Sequence, residues 1–359
     1  MTATGLKTWN GWVMTAPAEP LQHRTGALLE PGPGEAVVAV AGCGVCHTDL
    51  AFLYQGVKTR HPPPLVLGHE ISGMVAATGA GVATDLVGKR VLVPAVLPCG
   101  DCELCRAGRR TICRGQVMPG NDRDGGFASH LVVPARFLCP VPDRVLDTHE
   151  LWELAVVSDA VSTPFQAVRR SGLRPGELAV FIGIGGIGIH GVQIAAASGG
   201  TVLALDLDDR KLEQARQAGA RATLNIAGIP LKEIRKLVKD QAEKLGSPAV
   251  LWKIFETSGT RAGQETAWSL LGFGASLSVV GYTPDRIEIP LSHLMAYDAE
   301  ARGNWGADPL VYPEVLQWIA DGRIEVKPFV ERHPLAEINQ VLELAHQGRL
   351  ARRAVLVPS

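Results

Sequence analysis

The chain carries no block of like charge. Lysine and arginine total 35 against 36 aspartates and glutamates, a formal net charge of -1. That balance excludes the basic footprint of a nucleic-acid binder or of a protein held on an anionic membrane. A long apolar run is missing too. The most apolar stretch, Leu178 to Ile189, is too short for a membrane span and is broken by Gly183, Gly185, Gly186 and Gly188. Trp9, Asn10 and Trp12 stand where an export signal needs an apolar core, so a cytoplasmic protein is expected. An even cysteine count is also lacking. Seven cysteines, four of them tightly clustered, argue against a disulfide framework and for metal binding in a reducing compartment. No internal repeat or low-complexity segment is evident, and 359 residues suffice for two domains.

The most informative feature present is the run CGDCELCRAGRRTIC, which holds Cys99, Cys102, Cys105 and Cys113. Four thiolates at this spacing close a tetrahedral shell around one Zn²⁺. A closed shell has no open position, so this metal is structural and any chemistry lies elsewhere.

Residues 25–155 are rich in Gly, Pro and Val. Short β-like runs at Glu35–Ala41, Ile71–Thr78, Lys89–Val93 and Ala128–Val133 predict an irregular all-β domain. The texture changes near Asp159. A helical pattern (Thr163–Ser171), a buried strand (Glu177–Ile182), a glycine turn (Gly183–Gly188) and a helix (Gly191–Ser198) follow. Then come a strand (Thr201–Asp206), a helix (Arg210–Ala218) and a late strand (Ser276–Gly281). This alternation predicts a parallel, doubly wound sheet. Val326 to Val357 returns to mixed strand and helix, expected to fold back onto the first domain.

Gly183, Gly185 and Gly188 form G-x-G-x-x-G between a strand and a helix. In that context the first glycine permits the turn, the second admits a pyrophosphate, and the third packs helix on strand. Asp206 ends the next strand, 18 residues after Gly188. Its carboxylate suits ribose hydroxyls and repels a 2′-phosphate, which selects NAD over NADP.

Cys46, in GVCHTD, and His69, in GHE, offer one sulfur and one imidazole. Two ligands do not hold zinc, and Asp159 is a candidate third. Three ligands and one open position make a Lewis-acid site for an alcohol or carbonyl oxygen. Read singly, His69 is also a structural histidine and Asp159 a helix cap. Cys43 and Cys46 have the C-x-x-C form of a redox pair, without the βαβ context of one.

Together these motifs resemble the zinc-dependent medium-chain alcohol dehydrogenases, over nearly the whole chain. The resemblance implies an α/β two-domain fold: a GroES-like, mostly-β catalytic domain, a Rossmann domain, and an active-site cleft between them. The expected division is 1–160 for the first, 161–303 for the second, and a return of 304–359 to the first. Cys46, His69 and Asp159 match the catalytic zinc ligands, with aspartate where many members have cysteine. Asp49 matches the residue that orients the ligand histidine, and Glu70 an acid that transiently reaches the metal. Thr48 matches the hydroxyl that takes the alcohol proton. Gly183, Gly185, Gly186, Gly188, Asp206 and Lys211 match cofactor contacts. Arg353 matches an arginine on the cofactor pyrophosphate, and His47 is a second phosphate candidate. Cys43 and Cys139 match no ligand and read as small buried side chains. Ala51 stands where many members have a relay histidine, so the proton path falls to Thr48, the ribose and water, or to His47 or Tyr54. Two Zn²⁺ and NAD are the implied cofactors, and a homo-oligomer, dimer or tetramer, the implied assembly.

A narrower resemblance lies in AGCGVCHTDLAFLYQGVKTRH, VMPGNDRDGGFASH, WKIFETSGT and ARGNWG. These are similar to 6-hydroxycyclohex-1-ene-1-carbonyl-CoA dehydrogenases, which oxidise a ring alcohol beside a thioester in anaerobic benzoyl-CoA degradation. Ala95, where many members place a bulky residue, leaves room for a ring. Lys58, Arg60 and Arg123 are candidate CoA phosphate contacts or ordinary surface charge. Other readings are a polyol, aryl or simple secondary alcohol as substrate, or a nucleotide-binding protein without catalysis.

Overall fold

The computed structural model describes residues 8–359. Its strands begin with β1 (Thr8–Met14), β2 (Gln22–Ala27), β3 (Glu35–Gly44), β4 (Leu65–Val66), β5 (Glu70–Thr78), β6 (Arg90–Val93), β7 (His130–Pro134) and β8 (Cys139–Pro140). Next come β9 (Leu178–Ile182), β10 (Thr201–Asp206), β11 (Ala222–Asn225), β12 (Lys253–Glu256), β13 (Ser276–Val279) and β14 (Glu300–Gly303). The last two are β15 (Val330–Pro334) and β16 (Arg353–Val357). The chain divides into two compact units. One comprises the chain through Ser162 with Gly306–Ala320 and Glu325–Ser359; the other comprises Thr163–Trp305 and Asp321–Ile324.

The first unit is built around β3. Its sequence EAVVAVAGCG is buried along most of its length, and it pairs antiparallel with β5, β7 and β16. The sheet runs β15-β16-β3-β5-β6-β8, with β7 also on β3. Two register shifts between β3 and β5, at Val37/Val38 and Val40/Gly42, bend the pair. The pairing ends with Gly44 opposite Glu70. The segments leaving β3 and entering β5 are therefore neighbours, and these segments carry Cys46 and His69. A smaller sheet, β2-β1-β4, belongs to the same unit. Val38, Leu67, Ile71, Phe127, Leu131 and Leu356 are among the side chains that close its core.

The second unit holds a six-stranded sheet in the order β11-β10-β9-β12-β13-β14. Every neighbouring pair is parallel. Numbered within the unit this is 3-2-1-4-5-6, the doubly wound dinucleotide-binding order. Its central strands β9 (LAVFI) and β10 (TVLALD) are near-continuous apolar runs, as burial between helices requires, while the edge strands β11 and β14 are more polar and exposed. Val180, Leu203, Ile254 and Leu277 line its core. Phe181 and Phe255 face each other across β9 and β12 and stack at 4.5 Å.

Several boundaries differ from the sequence reading. The helix placed at Gly191–Ser198 begins at Gly186 and ends at Ala197, with Gly185 as its N-cap. Gly186 and Gly188 therefore lie in its first turn, because the loop needs only Gly183 to Gly185 to reverse the chain. The late strand stops at Val279, short of Gly281. β7 starts at His130, since Ala128 sits in an isolated bridge to Gly11. Among the described residues no helix is long and apolar enough to cross a membrane.

Candidate metal and cofactor sites

The first site grows from the end of β3. The chain turns out of the sheet and starts the helix His47–Tyr54, with Cys46 as its extended N-cap. Asp49, in the first helical turn, is fully buried. One carboxylate oxygen accepts the Cys46 N–H at 3.0 Å and the other accepts the Gly68 N–H at 3.1 Å. One side chain thus ties the Cys46 turn to the turn that presents His69. The same carboxylate faces His69 Nδ1 at 3.4 Å, and that ring nitrogen finds no closer partner. Burial alone would draw the imidazole pKa down; the Asp49 and Asp159 carboxylates outweigh it and push it well up.

His69 Nε2 lies 3.6 Å from Asp159 Oδ2, and Cys46 Sγ lies 3.9 Å from the same oxygen. Donor atoms of Cys46, His69, Glu70 and Asp159 all fall within 4.8 Å of one another. Zinc bonds of about 2.0–2.3 Å place tetrahedral ligands roughly 3.3–3.8 Å apart. The His69–Asp159 and Cys46–Asp159 spacings match within a few tenths of an ångström, and a sulfur–nitrogen–oxygen set is one that zinc accepts. Thr48 is half-buried, with its hydroxyl oxygen 3.8 Å from Cys46 Sγ. His47 is exposed on the same turn.

Glu70 and Arg353 form a buried, two-pronged ion pair. Arg353 Nε donates to Oε2 at 2.7 Å and its terminal nitrogen to Oε1 at 2.6 Å. The Ala160 N–H adds a third bond at 3.1 Å. Burial would draw the guanidinium pKa down, but Glu70 outweighs it and keeps the group charged. A side chain at Gly44 would put its Cβ 2.1 Å from Glu70 Oε2, so glycine there makes room for the carboxylate. The structure thus places Arg353 on Glu70, a partner the sequence reading did not assign it.

Tyr54 stacks on His346 at 4.4 Å, and Ala51 is buried. Cys43 and Cys139 are buried free thiols. Burial pushes Cys43 well up and Cys139 to about 12, so both are inert small side chains. Arg60 is paired with Asp122 at 2.9 Å and Arg123 with Glu35 at 2.8 Å. Lys58 is exposed.

The four-cysteine lobe is a second metal candidate. Cys113 Sγ lies 3.4 Å from Cys99 Sγ and 3.6 Å from Cys102 Sγ, and Cys99 lies 4.0 Å from Cys105. Four sulfurs about 2.3 Å from one zinc stand roughly 3.8 Å apart, so the lobe fits that ion. Backbone N–H donation at Cys105, and then the neighbouring thiols, lower Cys102 to about 6, while burial lifts Cys113 to about 12. Arg136 braces the lobe by donating to the Cys99 carbonyl at 2.7 Å.

In the second unit the glycine loop follows β9. Gly183 has φ +89°, and a Cβ there would meet Ser258 Cα at 2.5 Å. A Cβ on Gly188 would meet the Gly183 carbonyl at 2.0 Å. At Gly185 nothing lies within 4 Å, so that face admits a ligand. The helix from Gly186 offers its N-terminal N–H groups to an anion. Asp206 accepts from Ile184 N–H at 2.6 Å, Leu207 N–H at 2.7 Å and Asp208 N–H at 3.0 Å. A carboxylate has about four acceptor positions, so one remains for a ribose hydroxyl. These residues fit a dinucleotide. Lys211 is exposed on the helix Asp209–Gln217.

The sequence reading missed the support under this loop. The Thr257 hydroxyl donates to the Gly183 carbonyl at 2.7 Å. Glu256, fully buried, accepts the Ser258 and Gly259 N–H groups at 2.8 and 3.1 Å. Its signal was an acid ending a buried strand just before a Thr-Ser-Gly turn.

Comparison with known proteins agrees with this geometry. Residues 32–143 match the alcohol dehydrogenase GroES-like domain, and residues 186–321 match the zinc-binding dehydrogenase family. An alcohol dehydrogenase of Geobacillus stearothermophilus is 32% identical over 339 residues, covering 94% of this chain and 96% of that protein. The crystal structure of the alcohol dehydrogenase from Aeropyrum pernix superposes with a TM-score of 0.86 at 28% identity, covering 97% of this chain and all (100%) of that one. Acetophenone reductase from Geotrichum candidum, solved with NAD, gives 0.85 at 26% identity, covering 99% and 98%. The chain belongs to the zinc-dependent medium-chain alcohol dehydrogenases, oxidoreductases that act on CH–OH groups with zinc and NAD.

Proposed function

We propose that this chain oxidises a cyclic secondary alcohol to its ketone, with 6-hydroxycyclohex-1-ene-1-carbonyl-CoA as the substrate. The observation that carries the chemistry is the convergence of Cys46, His69 and Asp159 donor atoms beside the Thr48 hydroxyl. Those three residues hold the reactive zinc, and Cys99, Cys102, Cys105 and Cys113 the structural one. When bound, zinc supplies Lewis acidity to the substrate oxygen. The glycine loop and Asp206 would hold NAD, which would supply a hydride acceptor. The chain's own residues do the rest. Thr48 takes the proton that the alcohol loses while passing its own hydroxyl proton on to water, so its oxygen stays neutral. Asp49 fixes the His69 ring so that Nε2 faces Asp159. Arg353 neutralises Glu70, which keeps a second buried carboxylate from opposing the charge at Asp159.

The named substrate is supported by the four sequence segments quoted above; the room beside the buried Ala95 is taken by the Tyr312 hydroxyl. Arg60 and Arg123 have carboxylate partners, so Lys58 is the cation proposed for the CoA phosphates. A second reading keeps the mechanism and takes a free aryl alcohol; the likeness to acetophenone reductase favours it. Product analysis after incubation with NAD⁺ and the thioester separates the two. Ketone and NADH in equal amounts support the first reading. No turnover of the thioester, with robust oxidation of 1-phenylethanol, leaves the second.

The same reading includes a cytoplasmic homo-oligomer. Leu291 and Met295, four residues apart on the second unit, are 68% and 79% exposed, an apolar pair that a second copy of the chain would cover. Sedimentation velocity tests this, and a monomer at micromolar concentration removes it.

A further inference from the structure

Asp159 ends the 3₁₀ segment Leu151–Ser158 with φ −144° and ψ −61°, outside any regular element. A carboxylate there keeps its place only if the adjoining backbone is held. On one side the Ser158 hydroxyl donates to the Ile71 carbonyl at 2.8 Å, and the Ala160 N–H donates to Glu70. Both anchors lie on β5, just after His69. On the other side stands Tyr312, the bulkiest fully buried side chain among the described residues. It starts the helix Tyr312–Ala320, in the segment that returns to the first unit. Its hydroxyl donates to the Ser158 carbonyl. The Ala95 N–H points at both oxygens, 3.3 Å from the Ser158 carbonyl and 3.4 Å from the Tyr312 hydroxyl.

We propose that Tyr312 is a positioning residue that fixes Asp159 for metal binding by holding the peptide of Ser158. The argument is geometric. A buried hydroxyl that donates to one carbonyl and accepts from one N–H locks the peptide plane immediately before Asp159. Without it, the Ser158 carbonyl keeps the Ala95 N–H, and the Asp159 N–H keeps its bond to the Val156 carbonyl at 3.3 Å, but the peptide loses its tie to the helix Tyr312–Ala320. The neighbouring Ala95 is small, which is what leaves the phenol room to reach across. This rests on the reading of Asp159 as a ligand.

The test uses the full-length, zinc-loaded protein and Tyr312→Phe, which removes one oxygen and keeps the ring. Zinc release to a chelator is followed for both metals, with the four-cysteine zinc as the internal measure of an intact fold. The expected result is selective: the Cys46 metal leaves about tenfold faster or more, while the other does not. In the Co²⁺-substituted protein the visible bands should shift, and kcat should fall with KM for NAD unchanged. Equal release and an unchanged cobalt spectrum overturn the proposal. Asp159→Ala separates the two failures. If that variant keeps both metals, the ligand reading is lost; if it loses one while Tyr312→Phe keeps both, only the role of Tyr312 is lost. Should Tyr312→Phe not fold, site-specific 3-fluorotyrosine at this position changes the hydroxyl's donor strength within the same packing. A changed rate of metal release then supports the proposal, and an unaltered one overturns it.

Discussion

Asp49 shows how much one side chain does at the residue scale. It holds Cys46 and Gly68 by their N–H groups and faces His69. Asp49→Asn keeps the shape and weakens the charge, and should cost about 10- to 100-fold in metal affinity or turnover, read by competition with a chelator. Cys46→Ser should reduce zinc from two to one per chain by elemental analysis and abolish turnover; two zinc ions with full activity would sink the site. The Glu70–Arg353 pair gives a pH-dependent prediction. Burial raises the Glu70 pKa, and Arg353 opposes that rise. Arg353→Met removes the opposition and strands a buried carboxylate, at a cost of about 3–5 kcal/mol near neutrality. A folded-state pKa above the unfolded one means stability present at low pH and lost as pH rises. The gap between variant and parent in urea melts should therefore widen from pH 4 to pH 8, and adding Glu70→Gln should close most of it. Cys46 and His69 are readable from the short motifs GVCHTD and GHE, whereas Asp159 is reached only through the family resemblance. The sequence left the Arg353–Glu70 pairing hidden, since 283 residues separate two groups that no local pattern relates.

Elements with strong periodicity or a sharp turn were legible, and polar edges were not. β3, β5, β9 and β10 stand out as apolar runs. β2 (QHRTGA) is exposed at every position, so nothing in its hydropathy marks it as a strand; pairing with β1 makes it one. The helix after the glycine loop was placed five residues late because glycine reads as a breaker. Here Gly188 is required inside the helix, where backbone and loop nearly touch. Gly188→Ala should clash with the Gly183 carbonyl and shift either loop or helix, costing about 1–3 kcal/mol. The expected readout is a loss of NADH fluorescence enhancement with both zinc ions retained. Asp206→Asn should lower the preference for NAD over NADP by weakening repulsion of the 2′-phosphate. The single amide oxygen then serves either the Ile184 N–H or the Leu207 and Asp208 N–H groups, so a modest loss of stability should accompany the shift.

For the whole molecule, the doubly wound order of the second unit followed from the alternation of strand and helix. The return of the later chain to the first unit is built from β15, β16 and the helices Tyr312–Ala320 and Ile338–His346. Chelation at neutral pH should proceed in two stages, activity falling with the first zinc and the melting temperature with the second. One stage for both would remove the distinction between a reactive and a structural metal. The pairing of β16 with β3, and of Arg353 with Glu70, also carries a consequence for synthesis. A ribosome adding roughly 5–20 residues per second makes Glu70 about 15–60 s before its guanidinium partner. During that interval the nascent first unit has an open sheet edge at β3 and a carboxylate without its counter-ion. Translation speed and chaperone supply should then help set how much of this enzyme a cell recovers.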